Sequence, residues 1–368
     1  MRYSFHVENC MGRFTAAPLL TLLITAVTLA TTIHVPDDQL TIQAGLNTAV
    51  EGDTVLVASG TYYENIVWPA VNGIKLIGSS EDDCIVDGDS LDSVIRFNWE
   101  LGGIIDATTL ISNFTIQNGL ANGNTPDNRG GGIRCTFASP SLYNLMITDN
   151  YATDRGGGLY CETNSSASLL NVTVAGNIAD QGGGIYCNSS SPSLTNVTVI
   201  GNTTTQGGGV YTSLISIPNL ATVSITSNSA DQGGGIYCHY SNPTLSGVMI
   251  SDNSAIYGGG IYCCGSSPGI ENVTITNNSA YENGSGIYCD DYSSLSFSAE
   301  NRCNVYSNTV HSNRGYGADI FSFECDVIDV IVDTFTVIIP TDYHASPIDN
   351  FTFDIFNSFQ DDLVNADV

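Results

Sequence analysis

The chain has 368 residues, with 37 Asp plus Glu against 9 Lys plus Arg and a formal charge of −28. A surface of that sign repels phosphate polymers and anionic lipid, which excludes nucleic-acid binding through a basic patch. Charged residues are only 12% and hydrophobic ones 42%, so a disordered chain is excluded as well. The 38 Gly, the 18 Tyr and the scarcity of Lys point instead to an extracellular all-β protein.

Residues 18–30 (PLLTLLITAVTLA) are apolar, follow Arg13 and end in small residues. The run is too short to span a bilayer and reads as a secretory leader, 1–30, cleaved near Ala30. Met11 is the more natural start, because Met11-Gly12-Arg13 gives a short basic n-region. No later segment is apolar enough to span a membrane, so the expectation is a secreted or cell-surface monomer, with the periplasm as the other compartment that fits.

Residues 31–129 read as an N-terminal cap and first rungs. His34–Ala49 gives a short strand, a proline turn and a helix from about Ile42 to Val50. Strands follow near Thr54–Val57, Ile66–Val67, Ile74–Ile77, Cys84–Val86 and Val94–Phe97. The helix is expected to lie as a lid over the exposed edge of the first rung. Asn118–Arg129 is a polar insertion rich in Gly and Asn.

From Gly130 one block recurs: GGGIRC, then GGGLYC at Gly156, GGGIYC at Gly182, GGGVYT at Gly207, GGGIYC at Gly233 and Gly258, and GSGIYC at Gly284. The steps are 26, 26, 25, 26, 25 and 26 residues. Other columns keep pace, notably Leu142, Leu169, Leu194, Leu220, Leu245 and Ile270, and later Asn150, Asn177, Asn202, Asn228, Asn253 and Asn278. Each cassette holds two short runs of period-2 alternation, one of the Ile-Tyr-Cys kind and one of the Val-Thr-Val kind. Neither buries an apolar face alone, but stacking like on like does, one strand spacing of ~4.8 Å per rung. About 25 residues per turn suits a right-handed parallel β-helix, an all-β solenoid with a short N-terminal capping helix. The array is expected over 130–325, with 326–368 a C-terminal cap or the start of a second unit. The Gly triplet is expected at a corner needing positive φ or close approach. The Asn column is expected to bond from rung to rung, in a residue type that tolerates the left-handed region.

The opening IHVP…LTIQAGLNTAVEGDTVLVASGTYYENI resembles pectate-lyase-like and pectin-esterase-like β-helix proteins. The GGGIYC and NVTV…GN cassettes are similar to secreted bacterial right-handed β-helix repeats and to those of polymorphic outer-membrane proteins. The resemblance implies the fold over roughly residues 33–325. It leaves the activity open, because this scaffold carries lyases, hydrolases, esterases and adhesins.

Two columns bear on function. Tyr160, Tyr186, Tyr211, Tyr237, Tyr262 and Tyr288 alternate away from the core and form an aromatic strip, fit to stack sugar rings or simply to stack on itself. Asp154 and Asp180 would lie one rung apart, where like charges repel unless a cation such as Ca²⁺ bridges them; a solvated edge is the competing reading. Arg129, Arg134 and Arg155 lie near these acids. No nucleophilic serine motif, P-loop or histidine cluster is seen, so no catalytic residue is assigned. Six cysteines, Cys135, Cys161, Cys187, Cys238, Cys263 and Cys289, share one inward column with Thr212, which is a repeat column and not a disulfide framework. Cys264, next to Cys263, turns its thiol outward. The expected function is a non-catalytic, adhesin-like or glycan-binding structural protein, its partner an extracellular glycan or cell-surface protein. The alternative is a polysaccharide lyase or glycoside hydrolase.

Overall fold

The two alternating runs of each cassette become two parallel strands, and each strand pairs with its counterpart one repeat further on. The computed structural model describes residues 29–97, 104–290, 292–297, 303–312, 316–322, 327–330 and 355–357. Residues 1–28 of the expected leader and most of the segment 326–368 lie outside these residues. An 11-stranded sheet carries the glycine blocks, its strands following one another in chain order, and a 17-stranded sheet carries the Leu and Val runs.

Register follows the sequence columns. Leu142 pairs with Leu169, Leu169 with Leu194, Leu194 with Leu220, Leu220 with Leu245, and Leu245 with Ile270. On the facing sheet Cys135, Cys161 and Cys187 align, Thr212 takes the next place, and Cys238, Cys263 and Cys289 continue. Both sets are buried and form one continuous core. Each such side chain contributes about 1.5–3 kcal/mol when removed from water, but only with a neighbour above and below to cover it.

The three glycines of a block serve different ends. Only the first is left-handed, as at Gly182 with φ +63°. The other two are required by space: a Cβ on Gly183 would meet Thr203 O at 2.7 Å, and one on Gly184 would meet Gly209 O at 2.5 Å.

Two different asparagine columns exist, and this corrects the sequence reading. The column Asn150 to Asn278 is buried and hydrogen-bonded but is not left-handed. Asn202 shows the pattern: its backbone and side-chain N–H groups both donate to Asn228 Oδ1 at 2.9 Å, and its own Oδ1 accepts the same pair from Asn177. The left-handed corner belongs to Asn113, Asn144, Asn171, Asn196 and Asn272, which bend the chain between Leu142 and Leu145 and their equivalents. A buried serine column, unseen in the sequence, turns the other corner: Ser165 N donates to Ser190 Oγ at 3.1 Å, and Ser241 N to Ser266 Oγ at 3.1 Å.

The helix, α1 (Ile42–Thr48), closes the N-terminal end as expected. Thr41 caps it, and Glu64 accepts from Ile42 N at 2.8 Å and Gln43 N at 2.9 Å. Gln43 then bonds Val67 twice, accepting from its N–H at 2.7 Å and donating to its carbonyl at 3.0 Å. An amide side chain thus takes the place of a neighbouring strand at the edge of the 11-stranded sheet. The strand Gly60–Tyr63 is an addition to the predicted set.

Candidate functional site

The tyrosine column leaves the core side of the 11-stranded sheet, as alternation requires, but it does not reach solvent. Tyr160 is 0% exposed and Tyr288, the most open, only 9%. The six rings stack on one another with centroids 4.6–5.4 Å apart and interplanar angles of 6–12°. Phe321 continues the stack beyond Tyr288 at 5.0 Å. Tyr257 and Cys264, from the columns on either side, pack against it. The expectation of an outward-facing strip is therefore corrected: the rings form a second, narrow hydrophobic cluster. Burial raises the phenol pKa values of Tyr160, Tyr186, Tyr211, Tyr237 and Tyr262.

At the head of this stack the chain gathers four of its eight arginines. Arg96 and Arg134 are register neighbours, and Arg134 is followed in the same column by Tyr160. Arg129 donates to Asp154 Oδ2 at 2.9 Å and to Tyr160 Oη at 3.0 Å, and lies 3.5 Å from Glu162. Burial works against its charge, but Tyr160, Asp154 and Glu162 outweigh it and its pKa rises. Arg134 bonds Asp127 at 3.0 Å, Arg96 bonds Asp92 at 2.9 Å, and Arg155 lies 3.4 Å from Asp154 with its guanidinium 5.3 Å from the Tyr186 ring centre. The four guanidiniums thus face Asp92, Asp127, Asp154 and Glu162, and the cluster neutralises itself. Arg134 is 6% exposed, and its Nε has no hydrogen-bond partner.

The two candidate calcium ligands are engaged separately. Asp154 is turned to Arg129 and Arg155. Asp180 is exposed and accepts from Thr205 Oγ1 at 3.1 Å. Among the described residues no three His, Cys, Asp or Glu side chains gather as a metal-binding group.

Residues 144–302 match the family described as right handed beta helix region. The molecule is a right-handed parallel β-helix. This β-helix is similar to the pectin methylesterase of Yersinia enterocolitica, at 11% identity and a TM-score of 0.32 over 81% of this chain and 97% of that one. It is also similar to the pectin methylesterase of Aspergillus niger, at 15% identity and a TM-score of 0.33 over 87% and 91%. No curated protein matches the chain.

The β-helix has a third feature that column-by-column reading of the core passed over. On the outside of the 17-stranded sheet, from the strand Leu110–Gln117 to the strand Thr274–Thr276, the outward columns carry Ser, Thr, Asn, Ala, Met, Leu, Ile and Tyr. One such column reads Tyr143, Leu170, Thr195, Ala221, Ser246 and Glu271; the next reads Met146, Thr173, Thr198, Ser224, Met249 and Thr274. Glu271 is the one charged residue on those strands, in a chain of net charge −28. Tyr143 and Leu170 are each 41% exposed. The signal was present in the sequence, as the lack of Asp and Glu at outward positions of the repeat. No helix among the described residues is long and apolar enough to cross a membrane.

Proposed function

We propose that this β-helix is a secreted, non-catalytic binding scaffold that presents to extracellular glycan the outer face of its 17-stranded sheet, uncharged from the strand Leu110–Gln117 to the strand Met249–Ser251. The observation that carries the reading is the charge distribution: strong negative charge overall, and a broad regular face of hydroxyl, amide, methyl and aromatic groups bordered by Lys75 at one end and Glu271 at the other. Such a face suits a neutral polysaccharide, whose hydroxyls exchange hydrogen bonds with Ser and Thr and whose ring faces rest on Tyr143 and Leu170. The stacked tyrosines sit behind the other sheet and stiffen the rod.

A glycan array, with reducing-sugar release measured on every bound glycan, tests the proposal. Retention of a neutral glycan without sugar release is expected, and Tyr143→Ser with Thr195→Glu should weaken it at least about tenfold at unchanged melting temperature. Equal binding by the double variant, or no neutral glycan retained, would overturn the assignment. One observation favours the enzymatic alternative: the buried Arg134 has an unpartnered Nε and is paired through Nη1 with the Asp127 carboxylate. Sugar release that is lost in Arg134→Ala would establish that reading instead.

A further inference from the structure

The tyrosine stack is not electrically uniform along its length. Among the described residues the two guanidiniums that lie over its rings are both at the head: Arg129 is 5.7 Å from the centre of the Tyr160 ring and Arg155 is 5.3 Å from that of Tyr186. Arg129 also donates to Tyr160 Oη at 3.0 Å. Toward the far end the phenols meet carboxylates instead. Tyr262 donates its hydroxyl proton to Asp290 Oδ2 at 2.9 Å. Tyr257, edge-on to Tyr288 with ring centres 5.7 Å apart, donates to Glu282. Tyr211 and Tyr237, in the middle, make no side-chain hydrogen bond to a described residue. Phe321 shows that packing in this column needs only a ring, yet six positions in succession carry the hydroxyl.

We propose that the stack is a sink for one-electron oxidants, and that the oxidising equivalent comes to rest on Tyr262. A phenol that loses an electron becomes a strong acid, so its oxidation is easiest where a base already holds the hydroxyl proton, as Asp290 does for Tyr262. The rings are 4.6–5.4 Å apart and nearly parallel, close enough to exchange electrons with their neighbours. A positive charge on a ring is disfavoured beside Arg129 and Arg155 and favoured beside Asp290, and burial of the rings strengthens both effects. The stack therefore has a direction, from the arginines toward Asp290.

The oxidant is the one co-reactant that the balance needs. A cationic metal complex acting as an outer-sphere oxidant takes one electron from a ring of the stack and leaves a radical cation. The next ring toward Asp290 fills that vacancy with an electron of its own, until the vacancy reaches Tyr262. There the phenol O–H bond breaks, the proton passes to Asp290 Oδ2, and a neutral tyrosyl radical remains while the oxidant is reduced by one electron. A chain of net charge −28 draws such cationic oxidants to it. The stack is independent of the glycan-binding face, which lies on the other sheet.

The test uses the full chain and photogenerated tris(bipyridyl)ruthenium(III), with the tyrosyl radical followed by transient absorption and electron paramagnetic resonance. A long-lived neutral radical is expected, and it should form more slowly in heavy water, because the phenol proton moves in the same step. Asp290→Asn still offers the Tyr262 hydroxyl an acceptor but takes no proton, and should slow formation at least about tenfold. Tyr262→Phe should abolish the long-lived signal, and Tyr211→Phe should lower its yield by cutting off Tyr160 and Tyr186. Both variants keep the packed ring, so unchanged melting temperatures tie a lost signal to the hydroxyl. An unchanged rate in Asp290→Asn, a long-lived signal that survives Tyr262→Phe, or one lost in Tyr257→Phe instead, overturns the proposal. The heavy-water comparison is made on unaltered protein, and equal rates in the two solvents overturn the proposal whether or not Asp290→Asn folds.

Discussion

Asn308 donates its side-chain N–H to Asp319 Oδ1 at 2.9 Å, and its backbone N–H reaches the same oxygen at 3.3 Å. Asp319 lies eleven residues on, in the degenerate glycine block Gly317–Phe321, and its carboxylate takes the place that the next asparagine would occupy. An internal member of the ladder must accept from the rung before and donate to the rung after. Asp319 supplies the acceptor that Asn308 requires. Asp319→Ala should cost about 1–3 kcal/mol, because two buried donors of Asn308 lose their acceptor, and Asp319→Asn should cost much less. Urea denaturation of both variants checks this, with hydrogen exchange at the Asn308 amide as the local readout.

A break in the middle of the ladder should be worse. Asn202→Ala removes the acceptor of both Asn177 groups, the donor to Asn228 and a bond of 3.0 Å to Val174 O. With each stranded group costing about 1–3 kcal/mol, a total of about 3 kcal/mol or more is expected. The urea midpoint should fall further for Asn202→Ala than for Asp319→Ala, and the reverse order would show that the ladder is not carried by its central rungs.

The tyrosine stack gives a contrasting pair. Phe321 already ends it, so a ring without a hydroxyl fits, and Tyr211→Phe should change stability by no more than about 0.5 kcal/mol. Tyr211→Ser removes a ring stacked at 4.9 Å on one side and 5.0 Å on the other and should cost about 3–5 kcal/mol. Thermal unfolding of the two variants distinguishes a packed stack from a strip held for its ligand, which would lose binding before stability.

Acid sensitivity should concentrate at the N-terminal cap. Asp53 accepts from Val50 N at 2.9 Å and Thr31 N at 2.7 Å, and these bonds hold its pKa below the usual carboxylate value. A depressed folded-state pKa contributes stability that is present above the unfolded-state value, about 3.9, and is lost as pH falls through the folded-state value. Asp53→Asn should therefore lower the melting temperature at pH 7 and narrow the gap to wild type as pH drops below about 4. A gap that stays constant from pH 7 to pH 3 would show that the carboxylate charge contributes nothing.

The stacking register was legible because the cassette tolerates length changes only in its loops, so Leu169, Leu194 and Leu220 stay in step. Helix α1 was legible from its pattern, although its role at the sheet edge depends on Gln43 meeting Val67, a contact across 24 residues. The burial of Tyr160 to Tyr288 was not legible. Alternation says which face a side chain leaves by, but not whether flanking columns, here with Tyr257 and Cys264, will cover it. Nor does composition tell a hydrogen-bonded asparagine such as Asn202 from a left-handed one such as Asn196; both types favour the residue for different reasons. The bond from Tyr262 to Asp290 is a third case, since residues 28 positions apart become neighbours only once the rungs are counted.

The two bonds from Gln43 to Val67 also bear on what can pair with the first strand of the 11-stranded sheet. A sheet that grows by adding identical rungs has no internal reason to stop, and an open first strand would template the last strand of another copy. One glutamine, carried on a seven-residue helix, occupies the Val67 N–H and carbonyl that such a copy would need. At this edge of the 11-stranded sheet a helix side chain stands where the strand of a second copy would have to pair.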